Sequence, residues 1–82
     1  MIIKLIKTNY DEGIRILLGK QTCIFRQGEF NVGDTVQFHC YRNGKPVLRE
    51  LSKAQYTVTM VMTHDTAPLE EGSTLINFKR GA

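Results

Sequence analysis

Tryptophan is absent, proline occurs twice, and the cysteines stop at two, Cys23 and Cys40. Two thiols are too few for the disulfide framework with which small secreted domains make up for a thin core. They offer no zinc site either. There is no Cys-x-x-Cys or His-x-x-x-His pair, and neighbouring His39 and Cys40 fall on opposite faces of a strand. Both cysteines are therefore read as small core residues, and no metal or cofactor is expected. Long apolar runs are missing as well. The opening stretch Met1–Lys7 is interrupted by Lys4 and is too short for a signal segment, and nothing later approaches about eighteen uninterrupted apolar residues. Together these absences point to a cytoplasmic, reducing setting. No repeat, linker or low-complexity segment divides residues 1–82, which are read as one domain.

What is present suits a compact core. The composition is 41% hydrophobic and 23% charged, ordinary for a globular chain. A chain of this size buries only about three-fifths of its unfolded surface, so most apolar residues must join the interior. Eleven Lys+Arg against eight Asp+Glu leave a net charge of +3. That excess permits a polyanionic partner without requiring one.

Hydrophobic periodicity sets out the elements. Residues 2–7 are rich in β-branched types and read as a first strand. Thr8 and Asn9 offer capping side chains, Asp11 and Glu12 suit a helix N-terminus, and Tyr10, Ile14, Leu17 and Leu18 line one helical face. Gly19 stands where a left-handed cap is wanted. The period then drops to two. Thr22, Ile24 and Arg26 share one face of the next strand, with Cys23 and Phe25 on the other. Val36, Phe38 and Cys40 point inward in the strand after it. Asn43-Gly44 marks a tight hairpin, returning as a short strand over Val47–Leu51. A break at Ser52-Lys53 precedes a strand in which Tyr56, Val58, Met60 and Met62 are taken as core. A loop over His64–Gly72 leads to the last strand, Thr74–Lys79. The expected order is β-α-β-β-β-β-β, mainly β with one or two helices (α+β). Its strands should be largely antiparallel and closed into a small barrel that hides sheet edges.

One constellation carries chemistry. Gly19-Lys20-Gln21-Thr22 leaves the helix, Arg26 follows on the strand, and Phe30-Asn31-Val32-Gly33-Asp34 makes a tight turn. Lys20, Gln21, Thr22 and Arg26 are expected to gather beside the barrel mouth, where the Arg26 fork suits a phosphate, a carboxylate or a base edge. The alternative for Arg26 is an ion pair with Asp34 or Glu29. At the hairpin, Arg42 and Lys45, with Tyr41 and Arg49, combine cations with an aromatic that can stack a base.

These residues resemble the small ASCH-type domains of the PUA-like superfamily, including branches of unknown function found in phages and prophages. The matching positions are Gly19, Lys20, Thr22, Arg26, Phe30, Val32, Gly33 and Asp34, and the order of later strands agrees along essentially the whole chain. The resemblance implies a pseudo-β-barrel with a cleft between helix and barrel mouth that takes RNA or a modified nucleobase. It also brings in an amidohydrolase subgroup acting on an N-acylated cytidine nucleoside. That subgroup needs a lysine where this chain has Gln21 and a threonine where it has Ile24, and neither replacement can serve as nucleophile or base. The leading expectation is a binding module for RNA or a nucleotide, with no catalytic residue assigned. Beside it stand a hydrolase with a rearranged site and a phage-type protein-binding factor using the barrel as scaffold.

Overall fold

The computed structural model describes residues 3–63, 65, 69 and 72–81. Strand β1 (Ile3–Thr8) buries Ile6 and Thr8 while Leu5 and Lys7 face outward. Asn9 then starts helix α1 (Tyr10–Leu17), its side-chain oxygen accepting the Glu12 N–H at 2.8 Å, with Asp11 and Glu12 in the first turn. The helix ends where its glycine requires. With Gly19 at φ +74°, the Gly19 N–H donates to Ile16 O (3.0 Å) and the Lys20 N–H to Arg15 O (2.8 Å). That is the paired bonding of a Schellman motif.

Strand β2 (Cys23–Gln27) and strand β3 (Thr35–Arg42) follow. Asn43 and Gly44 both take positive φ, +53° and +76°, as a two-residue hairpin turn demands. The returning strand is shorter and earlier than the sequence suggested. β4 covers only Lys45–Val47, Leu48 turns left-handed at φ +57°, and Arg49–Lys53 coil into helix α2 with Leu51 fully buried. Pro46 has no N–H to extend the ladder, while Arg49 to Leu51 and Lys53 are good helix formers. Strands β5 (Tyr56–Thr63) and β6 (Ser73–Arg80) complete the chain. The loop expected over residues 64–72 lies largely outside the described residues.

The protein is mainly β with two helices, built on one mixed sheet in the order β1-β3-β5-β6-β2, with β4 attached to β3. The β1–β3 pair is parallel and the other pairs are antiparallel. Phe38, Tyr56 and Phe78 meet at its centre with ring centroids 4.8–5.5 Å apart, mostly edge to face. Ile16 of α1 and Leu51 of α2 pack against the same core.

Two expectations about facing are overturned. Thr59 is an extra residue in β5, shifting the register between Val58 and Met60. A bulge of one residue exchanges the faces beyond it. Val61 now opposes buried Ile76, whereas Met60 and Met62 oppose Asn77 and Leu75 on the outer face and are not core. Cys23 is also exposed, although Cys40 is buried as expected, because β2 points Ile24 inward against Ile76.

Helix α1 crosses β3 closely at Gly13. A Cβ there would lie 2.8 Å from Cys40 Sγ and 3.1 Å from Leu48 Cδ1. Gly→Ala inside a helix usually gains about 1 kcal/mol, but overpacking a rigid core costs about 1–3 kcal/mol. Gly13→Ala is therefore expected to lower the urea midpoint, and adding Cys40→Ala to recover part of the loss.

Candidate functional site

The Schellman turn delivers Gln21 and Thr22 to the mouth between α1 and the end of β6, where the Phe78 N–H donates to Thr22 O at 2.9 Å. A cavity of about 110 Å³ opens there. Its floor is apolar, formed by Ile16, Leu17 and Phe78, and Tyr56, Gln21, Thr22, Lys79 and Arg80 complete its wall. The volume is well under the roughly 300 Å³ at which ligand pockets usually begin. It suits one ring or one small group, with the rest of any ligand lying on the surface.

Burial pushes the Tyr56 hydroxyl above its ordinary value of 10.0, and neighbouring Arg80 pulls the other way. The phenol is thus neutral at physiological pH and able to donate. Gln21 is fixed by its neighbours: Arg15 Nε donates to Gln21 Oε1 at 2.9 Å, and Gln21 Nε2 donates to Cys23 O at 3.0 Å. Ile24 lies in the core at 2% exposure. Lys20 is exposed beyond the helix cap and does not line this cavity.

Arg26 is elsewhere. Four residues along β2 from Thr22 is about 13 Å at strand rise, and that places it on the seam between the two end strands. Among the described residues no ladder joins β1 to β2. Arg26 spans the gap, donating from Nη1 to Phe25 O (2.7 Å) and from Nη2 to Lys7 O (3.1 Å), and pairing with Glu12 of α1. Neither acid named from the sequence is its partner. Asp34 belongs to Lys4 at 3.1 Å and accepts the Asn31 N–H at 2.8 Å, while Lys4 also donates to Glu29 O. Each end strand thus sends one cation across the seam.

Arg42 and Lys45 sit opposite each other beside the hairpin turn. The Arg42 guanidinium lies 4.8 Å over the Tyr10 ring, and Lys7 Nζ lies 5.8 Å over Tyr41. From Val36, the partner of Tyr56, to Arg42 is about 20 Å along β3. The six residues singled out by the sequence therefore divide among a cleft, a seam, a helix end and a hairpin.

No model of a known protein family matches this chain, and no curated protein matches it. Among the described residues, no group of three or more His, Cys, Asp or Glu side chains gathers to hold a metal, and no helix is long and apolar enough to cross a membrane. Sequence reasoning missed Tyr56, Lys79 and Arg80 at the cleft, and Lys7 and Tyr10 near the hairpin. The consecutive Lys79-Arg80 pair was visible. Its place beside α1 was not, because it depends on β6 pairing with β2, and strand alternation does not specify partners.

Two measurements test the seam. Arg26→Ala removes three charge-assisted contacts and is expected to cost about 2–3 kcal/mol in chemical denaturation; Arg26→Lys should not restore it, because an ammonium lacks the planar fork. The Asn31 amide, then Lys4, holds the Asp34 carboxyl below its ordinary 3.8. With the folded value depressed, its stabilisation is present above about pH 4 and lost as pH falls through the folded value. The stability gap between wild type and Asp34→Asn should accordingly close on acidification.

Proposed function

We propose that the chain is a binding module for RNA or a nucleotide, an ASCH-type member of the PUA-like superfamily that receives a base at the α1–β6 cleft. The cleft carries the reading: an apolar floor sized for one ring, a neutral phenol at its wall, Arg80 paired with that tyrosine across the sheet, and Lys79 next to it at the rim, rooted on the outer face. A nucleobase offers a flat apolar face to such a floor and acceptors to Tyr56 and Thr22, while its phosphate is drawn to the cations. Lys20, exposed between the cavity-lining Gly19 and Gln21, is a further contact for the backbone. Arg42 and Lys45, with Lys7, add sequence-independent attraction at the hairpin. Arg26 shapes the site by holding the seam. The hydrolase alternative gains no support from the geometry, since the Gln21 amide is tied to Arg15 and Cys23 and Ile24 faces the core.

Titration of labelled single-stranded RNA at low salt tests the proposal. Binding should weaken with salt, and the double variant Lys79→Ala/Arg80→Ala should flatten the log–log salt slope by about 0.7 per phosphate contact removed. Tyr56→Phe should reduce affinity with less effect on the slope. Absence of any affinity at low salt sinks the reading.

A further inference from the structure

The bulge at Thr59 has an effect on the outside of the sheet. Beyond it, Met62 faces out next to Leu75, which in turn lies next to Phe25, giving an apolar row across β5, β6 and β2. The next row is Met60, Asn77 and Cys23. Phe25 is 57% exposed and Cys23 is exposed. Leu5, 65% exposed on β1, lines the seam beside Gln27 and extends the surface. The strip is no larger than the largest apolar patch of an ordinary monomer, so its size alone does not mark a contact; what stands out is its charged rim.

Charge at the strip's ends selects the occupant. Lys79 lies on the same outer face at one end of β6, and Glu29 and Asp65 flank a hollow with Gln27 and Ser73 at the other. Among the described residues, the rows between them hold no charged side chain. A second copy laid face to face with its β6 parallel would set Lys79 against Lys79. Turned about an axis across the strands, it sets each Lys79 against the partner's acidic end and the apolar rows against each other. We infer that this outer β2–β6–β5 face is a homotypic interface, with two copies related by a two-fold axis running across the strands near Leu75 and Asn77. The contact is weak. Three strands about 4.8 Å apart over some seven residues give a footprint of about 300 Å², against about 800 Å² per partner in stable complexes. Association should therefore depend on concentration and on salt.

Sedimentation equilibrium across a concentration series tests this, alongside the rate at which Cys23 is alkylated by a maleimide. The expected result is a monomer–dimer equilibrium in which Cys23 alkylation slows several-fold as protein concentration rises; Cys40 is buried and serves as the silent control. Phe25→Ser and, separately, Met62→Lys should shift the wild-type equilibrium to monomer, with circular dichroism reporting that each variant is folded. Lys79→Glu should weaken the dimer, and Lys79→Glu with Glu29→Lys should recover it. A chain that stays monomeric throughout, with Cys23 equally reactive at all concentrations, overturns the inference. So does a dimer indifferent to Met62→Lys, or a charge exchange that restores nothing, which would refute the two-fold orientation. None of these readings depends on RNA, so they stand apart from the binding proposal.

Discussion

The sheet would be an open ribbon without the contacts made across its seam. β1 and β2 lie at opposite ends of the strand order, and among the described residues no ladder connects them. Arg26 reaches from β2 to a β1 carbonyl, and Lys4 reaches from β1 to the loop after β2. A guanidinium can satisfy several acceptors at once, which a single strand-to-strand hydrogen bond cannot. Because Glu12 shares the same guanidinium, the seam also fixes the first turn of α1. The position of the helix C-terminus, and with it the cleft, follows from that anchor. Arg26, the cation that looked most like a ligand contact, is thus committed in large part to closing the fold.

Local chemistry was legible wherever one or two residues decide the backbone. The N-cap at Asn9, the Gly19 cap and the Asn43-Gly44 turn were all readable, as was the inward set Val36, Phe38 and Cys40. The type and order of the six strands could be read as well. Legibility ended where partners matter. The bulge at Thr59 leaves no mark in a strand whose residues alternate on both sides of it, so Met60 and Met62 were placed on the wrong face. Arg49–Lys53 is too short to show a helical period, and its helix exists because Leu51 reaches the core. Arg26 showed its capacity to bind acids but not which acid, since Glu12 is brought to it by the packing of α1 against the sheet.

The candidate site has the same character. Gln21 and Thr22 were visible because they follow a glycine that ends a helix. The cations beside them come from the far end of the chain. A cleft assembled from the first turn after a helix and the last strand is sensitive to the whole topology, whereas the hairpin cluster is local and self-contained. The two regions stand about 20 Å apart along β3, a separation that suits an extended chain better than a compact ligand.

The strand order also governs when the parts come together. Among the described residues β2 pairs with β6 alone, so Cys23 must wait for Asn77 before it is paired. β1 waits for β3, and α1 cannot settle until Cys40 is in place beneath Gly13. The cheap local event is the Asn43-Gly44 hairpin, and everything the cleft needs closes long loops. Formation should thus be slow for so short a chain, with the hairpin early and the cleft among the last features to exist. On a ribosome β2 emerges well before β6, so its inward-facing Ile24 stays without its ladder partner Ile76 until that strand follows.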